Sequence, residues 1–209
     1  TFHGYRYIEI SGITSPLPPE EVVSIQLSSI REMTGNFNCS HPLLNRFVEN
    51  VKWSQLCNFI SIPTDCPQRN ERMGWAGDTH VFCRTANMNS DLRLFYYRVL
   101  EAFRDLQNQG KFPEIAPAGG GFGGITYESA PVFITWELYQ QYGDISVIRE
   151  HYDSMCLWMD GIKKAGMPGL PKLPYQAWLG DWLAPVPADD YLLWNAFHYR
   201  NAALMAKFA

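Results

Sequence analysis

Two different hydrophobic patterns divide the chain near residue 34. Apolar and polar residues alternate over residues 5–10 and again over residues 22–27, and this alternation predicts β-strands. A glycine and several prolines interrupt the pattern between the two stretches. Because two or three strands cannot form a core alone, we interpret residues 1–33 as the last strands of a β-sandwich domain that begins upstream.

From Ser40 onward, apolar residues recur every three to four positions, which predicts helices. Ser40 is the predicted cap of the first helix, with Pro42 in the first turn. Further helices are predicted over residues 76–88, 91–109, 127–142, 145–164 and 189–208. Helices joined by short links predict stacked helical hairpins, so residues 34–209 are expected to form a second, mainly α domain.

Composition narrows the possible functions. The 209 residues are 46% hydrophobic, which suffices for a substantial core. The formal net charge of -4 offers no basic surface for nucleic acid. No apolar run approaches the roughly 20 residues needed to cross a bilayer. We therefore expect neither nucleic acid nor a membrane as a partner.

The cysteines and histidines do not indicate a metal site. The five cysteines are widely spread, without a C-x-x-C pair and without histidines at a zinc-binding spacing. We interpret them as free thiols, which slightly favours the cytoplasm over the periplasm. No metal and no other cofactor is predicted.

The Asp65–Asp78 stretch concentrates reactive groups. It reads D-C-P-Q-R-N-E-R-M-G-W-A-G-D, with three carboxyl groups, two guanidinium groups and an indole in fourteen residues. Such a run is either a solvated, ion-paired loop or a binding or catalytic site. Pro63 and Pro67 stiffen the backbone around Asp65, and Trp75 offers a flat apolar face on which a sugar can stack. These features favour a site.

From the residues alone, Glu71 has two possible states. An ion pair with Arg69 or Arg72 would hold its carboxyl group ionised. Burial or a like-charged neighbour would instead let the group keep a proton near neutral pH, as an acid catalyst must.

A glycine-rich loop over residues 119–124 follows further along the chain. It lacks the G-x-x-x-x-G-K-S/T pattern and a flanking strand, so it is not expected to bind phosphate. We interpret it as a mobile or close-fitting active-site loop.

The Asp65–Asp78 stretch closely resembles the signature D-C-P-Q-R-D-E-R-x-G-W-x-G-D of bacterial α-L-rhamnosidases, glycoside hydrolase family seventy-eight. The resemblance continues in G-Y-R-Y at residues 4–7, W-E-L-Y at residues 136–139 and G-D-W-L at residues 180–183. It implies a catalytic (α/α)6 barrel preceded by a β-sandwich domain. This chain would then hold the last strands of the sandwich and the first half of the barrel.

The resemblance also implies roles for residues of the Asp65–Asp78 stretch. Glu71 occupies the position of the general acid. Asp65, Arg69 and Trp75 match positions that contact the rhamnose ring or its hydroxyl groups. Asn70 replaces the usual aspartate and can still form hydrogen bonds without a charge. The implied reaction is inverting hydrolysis, with the catalytic base beyond Ala209.

Later residues match the family less closely. Glu128 would be a longer substitute for an aspartate. Trp136 and Trp182 are either aromatic walls of the sugar pocket or core residues. Asp181 is a candidate pocket carboxylate, whereas Asp78 could be no more than a helix cap.

Two functions therefore remain open. One is hydrolysis that removes terminal α-L-rhamnose from glycosides or polysaccharides, with a rhamnose-containing glycan or glycoside as the partner. The other is a non-catalytic carbohydrate-binding protein that retains the pocket. Glu71 favours the first function, whereas Asn70 and Glu128 favour the second.

Overall fold

The computed structural model describes residues 2–121, 124–166 and 180–209, and this part of the chain is mainly helical. The mainly α class is thereby confirmed. The helices are α1 (Pro42–Asn58), α2 (Ala76–Asn89), α3 (Arg93–Asp105), α4 (Ile125–Glu128), α5 (Ala130–Tyr142), α6 (Ile145–Gly166) and α7 (Asp190–Phe208). Two short strands, β1 (Phe59–Ile60) and β2 (Ile62–Pro63), follow α1 and pair antiparallel.

Local sequence explains several helix boundaries. α1 begins with Pro42, which suits a first turn because it has no N–H group to leave unpaired. The predicted cap at Ser40 is wrong, because His41 precedes the helix and no side chain caps it. α7 does have a side-chain cap, since Asp189 Oδ1 accepts a hydrogen bond from Leu192 N at 2.9 Å. The helix predicted over 127–142 is divided between α4 and α5.

α5 lies at the centre of the helical packing. It contacts α2, α3, α6 and α7. α6 also contacts α3 and α7. The contacts between the successive helices α5, α6 and α7 agree with the stacked hairpins that the apolar spacing predicts.

The core lies between these helices. Its buried side chains come from α5 (Ala130, Val132, Ile134, Leu138), α3 (Tyr96, Leu100, Phe103) and α6 (Val147, Met155, Trp158). Burying one large apolar side chain contributes about 1.5–3 kcal/mol, so this cluster fixes the helices firmly. The start of α2, where the Asp65–Asp78 stretch ends, is thereby held in place.

The N-terminal segment differs from its prediction. Apart from a short 3-10 helix at Pro19–Glu21, the described residues before residue 34 form no regular secondary structure. Tyr7, Val23 and Ile25 are 90%, 77% and 80% exposed. A strand is stabilised by a neighbouring ladder, and residues 5–10 and 22–27 pair with none in the described chain. Their assignment to a β-sandwich domain stays a prediction.

None of the helices in the described part of the chain combines the length and the apolar character that a membrane span requires.

Candidate active site

The Asp65–Asp78 stretch forms an irregular loop between β2 and α2, and backbone hydrogen bonds hold its end. Gly74 and Ala76 pair with a short extended segment at residues 114–116, through Ala116 N to Gly74 O at 3.0 Å and Ala76 N to Glu114 O at 2.8 Å. Trp75 lies opposite Ile115 in this bridge. The backbone of Trp75 is therefore fixed just before α2 begins.

Gly74 permits this pairing because a Cβ atom there would overlap the carbonyl oxygen of Ala116. We expect Gly74→Ala to destabilise the protein by about 3 kcal/mol, since the backbone at Ala116 cannot move without breaking the bridge. Scanning calorimetry of the full-length protein measures the effect. Gly161→Ala within α6 is the matched control, because no atom lies within 4 Å of the new Cβ and alanine favours helix. Equal unfolding temperatures for the two variants would contradict the expected clash.

The carboxylate of Glu71 is bonded on both oxygens. Oε1 accepts a hydrogen bond from Trp75 Nε1 at 2.7 Å, and Oε2 forms an ion pair with Arg69. The Trp75 bond is the main cause that lowers the pKa of Glu71, partial burial opposes it, and Arg69 lowers the pKa further. In this geometry Glu71 is ionised. The ion-pair alternative is therefore present, and its partner is Arg69.

The pKa of Asp65 is displaced in the opposite direction, to a higher value. Burial is the main cause that raises the pKa of Asp65, and the negative charge of Glu71 adds to the rise. Its Oδ1 atom is buried and has no hydrogen-bond partner in the described chain. Two neighbouring carboxyl groups with pKa values displaced in opposite directions are suited to different roles.

Asp65, Cys66 and Glu71 place their ligand atoms within 4.8 Å of one another, a spacing that a metal ion could bridge. Two observations argue against a resident ion. Burial raises the pKa of Cys66 to about 11, so an ion would first have to displace the thiol proton. Arg69 forms an ion pair with one oxygen of Glu71, and an ion would compete with it.

Two adjoining cavities lie beside this loop. The first, of about 310 Å³, is lined by Asp65, Asp78, Thr79 and Phe82 among others. The second, of about 380 Å³, is lined by Asp78, Tyr127, Asp181 and Trp182 among others. Asp78 and Val81 line both cavities, so the two are side by side. Each has the volume of a small-ligand pocket.

A family model described as the bacterial alpha-L-rhamnosidase 6 hairpin glycosidase domain matches residues 32–209. The chain belongs to this family. The resemblance of the Asp65–Asp78 stretch is thereby confirmed, and the helical hairpins are those of a six-hairpin glycosidase domain.

Curated relatives match over the whole chain. An alpha-L-rhamnosidase of Formosa agariphila is 34% identical over 228 residues, an alignment that covers 100% of this chain and 24% of the relative. An alpha-L-rhamnosidase of Streptomyces avermitilis is 35% identical over 215 residues, and this alignment covers 100% of this chain and 20% of the relative. The chain thus spans a quarter or less of the length of these two relatives.

Solved rhamnosidase structures share the fold. The crystal structure of Streptomyces avermitilis alpha-L-rhamnosidase complexed with L-rhamnose superposes with a TM-score of 0.82 at 34% identity, covering 88% of this chain and 18% of that one. The structure of the alpha-L-rhamnosidase from Dictyoglumus thermophilum superposes with a TM-score of 0.78 at 33% identity, covering 85% of this chain and 21% of that one.

The predicted site residues of this rhamnosidase domain fall into three groups. Asp65, Arg69, Glu71 and Trp75 lie together in one loop, with Asn70 exposed between them. Asp181 and Trp182 line the second cavity, and Asp181 also accepts a hydrogen bond from Ala188 N at 2.9 Å. Asp78, which lines both cavities, connects these two groups.

Trp136 and Glu128 form the third group and lie outside the Asp65–Asp78 stretch. Trp136 lines a third cavity of about 290 Å³, which shares His80 and Phe197 with the second cavity, and it has Lys207 Nζ 4.7 Å from its ring centroid. Glu128 is 1% exposed, and its Oε2 accepts a hydrogen bond from Trp158 Nε1 at 2.7 Å. In this geometry Glu128 contributes to helix packing, and its place in the sugar pocket stays a prediction.

Tyr127 is a site residue that the sequence analysis missed. Its ring is edge-on to Trp75 at a centroid distance of 6.0 Å. Burial raises its pKa to about 12, and the charges of Asp78, Glu114 and Asp65 add to the rise. Its hydroxyl group therefore stays protonated among three carboxyl groups. No spacing in the sequence links Tyr127 to Trp75, because their contact depends on how α2 and α4 pack.

Glu114 is the second missed residue. It is 9% exposed, and burial raises its pKa. The glycine-rich loop closes over it, since a Cβ atom on Gly124 would lie 2.6 Å from Glu114 Oε1. This agrees with a close-fitting loop, although residues 122 and 123 of that loop lie outside the described residues.

Proposed function

We propose that this chain supplies the proton donor and part of the sugar pocket of an α-L-rhamnosidase that removes terminal α-L-rhamnose from glycosides or polysaccharides. The observation that carries the proposal is the arrangement around Glu71. Its carboxylate is bonded by the indole of Trp75 and the guanidinium of Arg69, beside the half-buried carboxyl group of Asp65. The sugar class follows from the relatives, which are alpha-L-rhamnosidases.

Glu71 is proposed as the general acid that protonates the departing glycosidic oxygen. In the sugar-free geometry its pKa is lowered, so a proton must be gained when substrate binds. A sugar that fills the space beside Glu71 removes water from the carboxyl group, and a hydroxyl group that binds Arg69 weakens the ion pair. Both changes raise the pKa of a carboxyl group.

The other groups are proposed to bind the rhamnosyl ring. Carboxylate and guanidinium groups bond neighbouring hydroxyl groups, which suits Asp65 and Arg69. Trp75 covers the apolar face of the ring, and Asn70 adds an uncharged hydrogen-bonding group. Asp181 and Trp182, on the second cavity, suit the more distant part of the substrate.

The proposed mechanism is inverting. One carboxyl group protonates the leaving oxygen, and a second carboxylate activates water on the opposite face of the sugar. We assign the second carboxylate to the part of the full-length protein that follows Ala209. The 209-residue chain alone is therefore expected to bind rhamnose without hydrolysing it.

A second candidate is a non-catalytic protein that binds rhamnose. The ionised state of Glu71 in the sugar-free geometry favours it, because a carboxylate cannot donate a proton. Asn70, in the place of an aspartate, also favours it.

An assay separates the two candidates. The full-length protein is expected to release p-nitrophenol from p-nitrophenyl α-L-rhamnoside, whereas the matched β-D-glucoside should not react. Rhamnose binding in calorimetry, without turnover of the aryl rhamnoside, would support the binding protein and contradict the enzyme.

A further inference from the structure

We propose that Arg72 is a positioning residue that ties the loop carrying Glu71 to the N-terminal segment over residues 2–7. In this arrangement a segment that precedes the helical domain sets the position of the proton donor. The inference rests on the proposed function, because it assigns a role to the residue beside the proposed acid.

The side chain of Arg72 joins two parts of the chain that are seventy residues apart. Arg72 Nη2 donates a hydrogen bond to Phe2 O at 2.6 Å, and its Cζ atom lies 4.6 Å from the centroid of the Phe2 ring. Arg72 Nε also donates to Pro67 O at 3.4 Å, within the loop. One guanidinium group therefore holds the N-terminal segment and the first part of the loop together.

A backbone contact supports the same junction. A Cβ atom on Gly4 would lie 2.7 Å from the Cβ atom of Gln68, so the segment lies directly on the loop. Only glycine allows this approach without moving one of the two backbones.

The two arginines of the loop have different partners. Arg69 forms an ion pair with Glu71 and lowers its pKa, together with the larger effect of Trp75. Arg72, although it directly follows Glu71, bonds Phe2 and Pro67 instead. Arg69 thus acts on the charge of Glu71, whereas Arg72 acts on its position.

The backbone at Arg72 explains why such a tether is needed. Its φ angle of 51° lies in the left-handed region, which side chains other than glycine seldom adopt. An uncommon conformation of this kind persists only where the surroundings hold it. On the far side of Arg72, Asp65 N donates to Met73 O at 3.0 Å. Without the bonds to Phe2, we expect Arg72 to relax and the backbone of Glu71 to turn with it.

The test uses the full-length protein and two rhamnosides, an alkyl rhamnoside with a poor leaving group and p-nitrophenyl α-L-rhamnoside. For Arg72→Gln, we expect kcat on the alkyl rhamnoside to fall about 10- to 100-fold, because misplacement of an acid by ~1 Å can cost that much. KM should change little, and kcat on the aryl rhamnoside should fall much less, because that leaving group departs without full protonation.

Variants of Phe2 test the contact independently of Arg72. Phe2→Tyr keeps the aromatic ring and should retain activity, whereas Phe2→Leu should lower kcat on the alkyl rhamnoside by roughly two- to fivefold through loss of the cation–π contact. Arg104→Gln is the matched control. It breaks an exposed ion pair with Glu150 at 3.3 Å between α3 and α6 and should leave both activities unchanged.

Each outcome of these assays supports or overturns the inference about Arg72. Equal losses on the two rhamnosides for Arg72→Gln, or a Phe2→Leu protein that behaves like wild type, would overturn the inference while leaving the proposed function intact. If Arg72→Gln does not fold, the comparison of Phe2→Leu with Phe2→Tyr decides alone. A wild-type protein that hydrolyses neither rhamnoside would overturn the proposed function and this inference with it.

Discussion

Replacing Glu71 by glutamine in the full-length protein is expected to lower kcat by about 10²- to 10⁴-fold for rhamnosides with poor leaving groups. Glutamine keeps the size of the side chain but cannot donate a proton to the departing oxygen. An activated aryl rhamnoside departs without full protonation, so its kcat should fall much less. Steady-state kinetics on a series of leaving groups measures the difference.

Asp65→Asn is the matched comparison, because Asp65 is also a carboxyl group of the same loop. Its proposed role is to bind the rhamnosyl group, which all the substrates share, so its loss should be similar across the leaving groups. The opposite result, a uniform loss for Glu71→Gln and a selective loss for Asp65→Asn, would mean that the acid is Asp65. The raised pKa of Asp65 makes this a real alternative, since a carboxyl group that holds its proton can act as an acid.

The order of the helices could be predicted from the sequence because helix periodicity is a local signal. Apolar residues at three-to-four spacing mark α2, α6 and α7, and the observed bounds lie within a few residues of the predicted ones. The strands predicted over 5–10 and 22–27 are not formed in the described chain, since a strand depends on a partner that is often distant in sequence. The prediction of a cap at Ser40 was wrong because helix ends carry weaker sequence signals than helix interiors.

Within the site, the sequence located the reactive loop but could not assign its partners. Arg69 and Arg72 are equally near Glu71 along the chain, and only the fold shows that Arg69 forms the ion pair while Arg72 bonds Phe2. Tyr127 and Glu114 belong to distant segments and contact the Asp65–Asp78 stretch at the Trp75 ring and the Ala76 backbone, so no spacing reveals them. Glu128 was predicted as a pocket residue from the family resemblance alone, and only the fold shows that it bonds Trp158.

The opposite pKa displacements of Asp65 and Glu71 have different structural causes. The Asp65 Oδ1 atom is buried and has no hydrogen-bond partner among the described residues, whereas both oxygens of Glu71 are bonded by donors. An N–H donor stabilises the charged form of a carboxyl group, and burial destabilises it. The hydrogen bond from Trp75 therefore controls how readily Glu71 takes up a proton, and removing it should be visible in the pH profile.

Trp75→Phe is expected to move the alkaline limb of the pH profile of kcat/KM to higher pH. The bond from Trp75 Nε1 is the main cause of the lowered pKa of Glu71, and phenylalanine keeps an aromatic face but has no N–H group. The pKa of Glu71 in the free protein should therefore rise. The proposed acid works only when protonated, so kcat/KM falls as pH rises through this pKa, and a higher pKa delays the fall.

The measurement is kcat/KM against pH for the full-length protein with an alkyl rhamnoside. Trp182→Phe is the control, because Trp182 is also proposed to face substrate but does not bond Glu71. Trp182→Phe should lower kcat/KM over the whole pH range without changing the pH at which the alkaline limb falls. A Trp75→Phe limb that stays in place, or that moves to lower pH, would mean that the indole does not set the proton affinity of Glu71. The acid would then have to be another carboxyl group, and Asp65, whose pKa burial raises, would be the first to test.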